Sequence, residues 1–84
     1  MKIVLLSTII NELEIVIEAI DFPTPPLVGD FVDIIDFMDQ NQKLIYKAYC
    51  ENNGKSQFVN IKRRSWHTEK GEVVMYLHLE HINA

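Results

Sequence analysis

The sequence predicts an all-β fold: about five strands in a small, partly open barrel or a strongly bent antiparallel sheet. Three observations favour it. Apolar and polar residues alternate with a period of two through most of the chain after position 30, as they do on the two faces of a strand. Glycine and polar residues separate the apolar runs at ENNGKS and TEKGE, as hairpin loops do. The proline-rich stretch FPTPP cannot be a central strand, since proline lacks the backbone donor of a sheet ladder.

Length and composition predict one domain spanning residues 1–84, because two independent cores would each be too small to fold alone. Apolar residues make up 48% of the chain and charged residues 24%, which is ordinary globular usage. The single cysteine, Cys50, cannot form an internal disulfide. The apolar run after Lys2 lacks a signal-peptide cleavage site, and no segment approaches the ~20 apolar residues that span a bilayer. We therefore expect a cytoplasmic protein with no membrane partner.

Charge is distributed unevenly along the chain. The formal net charge is −4, but residues 1–42 sum to −7 and residues 43–84 to +3. Such asymmetry is typical of a basic binding face. It also arises when acidic and basic strands pair side by side, because opposite charges across a ladder stabilise a sheet.

Four strands are predicted after position 30: Phe31–Phe37, Lys43–Cys50, residues 57–66 and residues 72–82. One face of the second strand would carry Leu44, Tyr46, Ala48 and Cys50. One face of the last would carry Val73, Met75, Leu77 and Leu79. Both faces are apolar enough to line a core.

The segment 8–20 is compatible with either a strand or a helix. ELEIVIEA alternates and is rich in β-branched residues, which favours a strand. A helix would have Asn11 as its N-cap and Glu14 three residues later. Its apolar face would carry Ile9, Leu13, Val16, Ile17 and Ile20.

A structural turn is predicted at Pro26, Gly29 and Asp30, between the proline-rich crossing and the next strand. Glycine supplies backbone freedom for a tight corner, and the carboxylate of Asp30 can accept a hydrogen bond from a nearby main-chain amide. This corner would fold the sheet back on itself.

The pattern Val28-Gly29-Asp30-x-Val32-x-Ile34, followed by further strands, resembles the five-stranded barrels of the SH3-like class. The chain is also similar to short bacterial proteins in which a Pro-x-x-Gly-Asp-x-Val corner precedes strands that end in Arg-x-Trp/His, here Arg64-Ser65-Trp66-His67. The resemblance covers residues 22–82 and implies a small β-barrel but no activity. Barrels of this class commonly bind peptides or nucleic acids, so it implies either kind of partner.

The segment KRRSWH is the candidate nucleic-acid site, formed by Lys62, Arg63, Arg64 and Trp66. The bases can meet phosphates, and the indole can stack on an exposed base. On an uninterrupted strand Lys62, Arg64 and Trp66 share one face, with Arg63 and Ser65 opposite. In the alternative interpretation Trp66 covers one end of the barrel and the bases pair with the acidic N-terminal strands.

No metal or cofactor site is expected. The carboxylates of Asp30, Asp33, Asp36 and Asp39 recur every three residues. On a strand they would alternate between faces and could not converge on one cation. His78 and His81 would likewise face opposite sides.

Enzyme activity is not expected either. No phosphate loop, nucleophile elbow or dinucleotide fingerprint is present, and Cys50 on an apolar face is most simply a small buried hydrophobe. The sequence therefore predicts a non-catalytic protein-interaction or accessory module, with a protein partner or self-association. Its aromatic rings exceed what so small a core hides: Phe22, Phe31, Phe37, Tyr49 and Trp66. The alternative is a nucleic-acid-binding barrel that uses the KRRSWH segment.

Overall fold

Strands form most of the regular structure in the computed structural model, which describes residues 2–84. They are β1 (Lys2–Leu6), β2 (Ile20–Asp21), β3 (Phe31–Asp33), β4 (Lys55–Glu69) and β5 (Glu72–Asn83). The helices are the short α1 (Thr8–Glu12) and the long α2 (Gln40–Asn53), and a 3-10 turn spans Ile34–Phe37.

The strands form one curled, half-barrel sheet in the order β2-β1-β5-β4-β3. The prediction of a small, mainly β domain is thereby confirmed. The prediction that the sheet is entirely antiparallel is wrong, since β1 pairs with β5 in parallel, from Ile3 opposite Met75 to Leu6 opposite His78. Most of the chain lies between these two strands, so the connection is long enough for parallel pairing.

The prediction that Lys43–Cys50 forms a strand is wrong, because this segment lies inside α2. Asp39 and Gln42 form a capping box at the start of the helix, and Gly54 ends it at φ 61°. Tyr46 and Cys50 are buried one helical turn apart, so the spacing that appeared as alternation is that of a helix face. ENNGKS accordingly ends a helix and is not a hairpin loop.

The strand predicted over Phe31–Phe37 is also shorter than expected. Only Phe31–Asp33 is extended, and the chain then enters the 3-10 turn. The carboxylates of the four aspartates are therefore not on one strand: Asp39, for example, accepts a hydrogen bond from the backbone of Gln42 at 2.8 Å.

The strand favoured over ELEIVIEA is wrong, because within the segment 8–20 only Ile20 lies in a strand and Thr8–Glu12 forms the helix α1. β1 ends at Leu6, and α1 begins with Ser7 as its N-cap, whose Oγ accepts from the Ile10 amide at 3.1 Å. Asn11, the predicted N-cap, lies within α1. The chain then leaves regular structure until β2, and Ile15 is buried on the way.

At the corner before β3, Gly29 adopts φ 96°, a conformation that favours glycine. The Asp30 carboxylate accepts from the Leu27 amide at 2.8 Å. The corner returns the chain to β4: Gly29 donates its amide to the Ile61 carbonyl, and Ile61 donates to the Asp30 carbonyl, each at 2.9 Å. Pro26 is half-buried beside it.

The core lies on the concave face of the sheet, which we call the inner face. One cluster joins α2 to the sheet around Tyr46, which is fully buried. A second lies across β1, β4 and β5, and Phe22 of the proline-rich crossing packs against it; its members are Ile3, Ile61, Met75 and Leu77. Val73, predicted on the same apolar face, is exposed near the tip of the hairpin.

Candidate functional site

The distal half of β4 extends beyond β3, its neighbour on one side of the sheet. β4 pairs with β5 as far as Glu69, which lies opposite Glu72. β3 pairs with a much shorter part of β4, and this pairing stops at Asn60, which lies opposite Phe31. The corner adds the hydrogen bonds at Ile61. Beyond it, no backbone group of residues 2–84 pairs with the far side of β4. We call residues 62–69 on this side the open edge.

A β-bulge decides which way the basic side chains of this segment point. Ile61 lies opposite Leu79 and Arg63 opposite His78, so Lys62 is an extra residue in β4. After the bulge, Arg64 and Trp66 lie opposite Leu77 and Met75. Residues directly opposite each other share a face, so Arg64 and Trp66 belong to the inner face.

Arg63 and Ser65 lie on the other, outer face, opposite His78 and Tyr76. Lys62 also lies on the outer face. The uninterrupted strand had predicted it on the same face as Arg64, and that prediction is wrong. The Nζ of Lys62 lies 3.9 Å from the carboxylate of Glu80, a residue opposite Asn60 and so also on the outer face. Of the three consecutive bases, two therefore serve one face and one serves the other.

The outer face of the hairpin carries a row of linked polar side chains. Ser65 Oγ lies 2.9 Å from His67 Nε2 and 3.0 Å from His78 Nε2. The His67 ring packs on Tyr76 with centroids 4.4 Å apart, and the Tyr76 hydroxyl donates to Glu69. Burial lowers the pKa of His78, and Arg63 and His67 lower it further. These contacts order the side chains next to the open edge.

The predicted surplus of aromatic rings is only partly hidden. Phe22 and Phe37 pack together with ring centroids 5.7 Å apart, and Tyr49 is half-buried. Phe31 on β3 is 63% exposed and Trp66 on β4 is 54% exposed. Trp66 therefore offers an apolar surface beside the open edge.

A second polar cluster, which the sequence analysis did not identify, lies inside the core. His81 Nε2 is 2.5 Å from Ser7 Oγ, and His81 Nδ1 is 3.2 Å from the Tyr46 hydroxyl. The Tyr46 hydroxyl also donates to the Gln57 carbonyl at 3.5 Å. The available signal was His81 itself, a polar residue on the same strand face as Leu79.

One arrangement of protons satisfies every group in this cluster. If His81 carries its proton on Nδ1, it donates to Tyr46, which donates to Gln57, while Ser7 donates to the bare Nε2. His81 is then neutral, in agreement with its pKa, which burial lowers and Lys55 lowers further. Burial raises the pKa of the Tyr46 hydroxyl, and Cys50 raises it further.

The Ser7–His81 contact does not form an accessible catalytic pair. Ser7 is only 6% exposed, and its oxygen already caps α1 by accepting from Ile10. Cys50 is likewise buried, with a pKa that burial raises, and its thiol donates to the Ser56 carbonyl at 3.6 Å. What this cluster can do is hold β5 against α1 and α2.

Metal ligands do not gather in the part of the chain that the structure describes. Within residues 2–84 no three histidine, cysteine or acidic side chains lie close enough together to hold a metal ion. Across the same residues, none of the helices has the length and apolar character needed to traverse a bilayer. Comparison of the chain with models of protein families, with curated proteins and with solved structures finds no match.

Proposed function

We propose that this protein is a non-catalytic interaction module that binds an extended segment of a protein partner at the open edge of β4. The observation that carries the proposal is the stretch beyond Ile61, where β4 is paired on one side only. Such an edge presents unpaired amides and carbonyls, which are a template for an added strand.

The hairpin turn defines which backbone groups face the open edge. Lys70 and Gly71 form a two-residue turn with φ values of 50° and 80°, which is the pattern of a type I′ hairpin. The flanking residues, Glu69 and Glu72, then exchange hydrogen bonds with each other. Because strand residues alternate in direction, the amides and carbonyls that face outward belong to Arg64, Trp66 and Thr68.

Side chains at this edge are those that anchor protein interfaces. Trp66 is more than half exposed, and Arg64 lies on the same face two residues away. Tryptophan and arginine are enriched among residues that dominate binding energy. A strand added at the open edge would pair with the backbone of Trp66 and cover part of its indole ring.

A nucleic-acid partner is the alternative, and the bulge argues for protein instead. Phosphate contacts and base stacking combine best when the bases share a surface with the indole, whereas the bulge leaves only Arg64 on the inner face with Trp66 and sets Lys62 and Arg63 on the outer face. Lys62 is also engaged with Glu80. The net charge of −4 opposes a polyanion as well.

We further propose that the half-barrel is a variant of the SH3-like plan in a cytoplasmic protein. The Gly29–Asp30 corner and the curled five-stranded sheet support this relationship. The parallel β1–β5 pair and the helix α2 would be its departures from that plan.

The test is titration of ¹⁵N-labelled protein with a short peptide that alternates valine and threonine and carries glutamate at both ends. We expect the amide signals of Arg64, Trp66 and Thr68 to shift and their hydrogen exchange to slow. Thr68→Pro should abolish binding, because proline removes an outward donor that the hairpin itself does not use. Thr68→Val keeps the donor and is the matched control.

Two results would overturn the proposal. One is the absence of any change at these amides with peptide in millimolar excess. The other is binding of a single-stranded oligonucleotide that weakens steeply with salt and is lost in Arg63→Ala plus Arg64→Ala, which would establish the nucleic-acid function instead.

A further inference from the structure

The geometry points to a specific strand for the open edge, which is β4 of a second copy of this chain. The two strands would pair antiparallel about a two-fold axis that places Trp66 opposite the Trp66 of the second copy. This inference rests on the proposed function, since it names the partner of the same edge.

Symmetry restricts the possible registers. In an antiparallel pair, residues directly opposite each other point to the same face. Inner-face and outer-face residues alternate along β4 after the bulge. A two-fold axis must therefore place one residue opposite its own copy, because neighbouring residues opposite each other would point to different faces. Residues 63–69 are the part of the open edge beyond the bulge at Lys62, and their midpoint is Trp66.

Backbone pairing selects the same centre. The outward groups belong to Arg64, Trp66 and Thr68, which are symmetric about Trp66. A two-fold axis centred on Trp66 pairs Trp66 with its own copy and Arg64 with Thr68 of the second copy. Every outward amide and carbonyl of these residues then has a hydrogen-bond partner. A two-fold axis centred on Ser65 would set Thr68 opposite the bulged Lys62 and leave the outward amide and carbonyl of Thr68 unpaired.

Side-chain charge then becomes complementary across the axis. In this register Arg63 lies opposite Glu69 of the second copy, and both belong to the outer face. On the inner face the two Trp66 rings lie opposite each other, and cross-strand aromatic pairs are stabilising. Charged residues on an edge normally prevent indiscriminate strand pairing. Here the same charges favour one partner, because only the matching register puts a base opposite an acid.

The expected dimer is weak. It joins two edges of a few residues and one pair of indoles, so its interface belongs to the small, transient class. We expect a dissociation constant on the order of 100 μM. Analytical ultracentrifugation over a concentration series that brackets this value should therefore show a reversible monomer–dimer equilibrium.

Charge exchange provides the decisive variants. Arg63→Glu sets two acids opposite each other and Glu69→Arg sets two bases opposite each other, and each should weaken the dimer about tenfold or more because both symmetric pairs are affected. The double variant Arg63→Glu plus Glu69→Arg restores opposite charges and should regain the wild-type equilibrium. Lys47→Glu on α2 makes the same change in charge as Arg63→Glu, away from the edge, and should leave association unchanged.

Each alternative result has a definite meaning. Dimerisation that is insensitive to both single variants, or a double variant that stays monomeric while correctly folded by circular dichroism, would overturn this register. A wild-type protein that is monomeric at about 1 mM, while the acidic peptide still binds the edge, would overturn self-association and leave the proposed function standing. Absence of both dimer and peptide binding would overturn the two together.

Discussion

Ser7 and His81 are 74 positions apart in the chain, and their side chains meet with Oγ 2.5 Å from Nε2. The contact joins the N-cap of α1 to the last strand of the sheet, and the Tyr46 hydroxyl extends it to α2. Buried polar groups are costly unless each has a partner. The stability of the domain should therefore respond to protonation or truncation anywhere in this cluster.

The first prediction concerns pH. Burial lowers the pKa of His81 from its ordinary value of 6.5, so below that value the unfolded chain binds a proton that the folded protein resists. The free energy of unfolding should be fully maintained above pH 6.5 and should fall as the pH drops further. Urea denaturation at a series of pH values between 7.5 and 5 measures this slope.

His81→Gln should flatten that slope, because it removes the titrating group. His78 provides the matched variant His78→Gln. Its pKa is also lowered, but its ring has fewer protein atoms around it than that of His81, so the effect should be smaller and of the same sign. An unchanged slope in His81→Gln would contradict the neutral state of this half-buried histidine.

The second prediction concerns Tyr46→Phe. The substitution keeps the buried ring but leaves His81 Nδ1 and the Gln57 carbonyl without the hydroxyl. We expect a loss of about 1–3 kcal/mol in the free energy of unfolding, measured by urea denaturation at pH 7.5. Tyr49→Phe is the control, since its hydroxyl has no hydrogen-bond partner among residues 2–84. Equal effects of the two substitutions would rule out a stabilising role for the cluster.

The third prediction tests the helix that replaces the expected strand. Asp39→Ala removes the N-cap of α2 and should cost about 0.5–2 kcal/mol. Asp36→Ala, three residues earlier in the 3-10 turn, removes the same charge without a cap and should change stability by less than about 0.5 kcal/mol. Thermal or urea unfolding of both variants makes the comparison. If the two aspartates were equivalent, α2 would not begin where the structure has it.

The fourth prediction concerns the thiol of Cys50, which is 6% exposed and has a pKa that burial raises. The thiolate is the reactive form, so modification by Ellman's reagent should be far slower in the native protein than in urea. Stopped-flow absorbance at pH 8 measures both rates. A native rate equal to the unfolded rate would show that α2 does not cover this residue.

Much of the hairpin and the corner before it could be predicted from the sequence. TEKGE supplies the two residues with positive φ that a tight hairpin needs. The strand after it alternates from Met75 onward, although Val73, on the predicted apolar face, is exposed and Val74 is buried. The corner at Gly29 and Asp30 forms by the backbone freedom and side-chain hydrogen bond that its residue types favour. These features depend on neighbours in the chain, so local pattern carries them.

The alternation of apolar residues does not predict the helix α2, although the sequence contains the signals of a helix there. Asp39 and Gln42 have the spacing of a capping box, and Gly54 is a typical helix end. The apolar residues Tyr46 and Cys50 fit both a strand face and one helical turn, since positions four apart share a face in either structure. Periodicity alone does not distinguish a strand from a helix in this segment. The capping residues Asp39, Gln42 and Gly54 do distinguish them, and they favour the helix.

What the sequence by itself determined is local: the alternation of the long strands, the turn chemistry and the surplus of aromatic rings. Tertiary structure alone decided the bulge at Lys62, the point where β3 stops pairing with β4, and the meeting of Ser7 with His81. The reason is that register and strand ends are set by packing between segments far apart in the chain, and a shift of one residue exchanges the two faces of a strand. Whether Lys62 shares a face with Arg64 and Trp66 or with Arg63 therefore depends on a pairing that the segment does not itself encode.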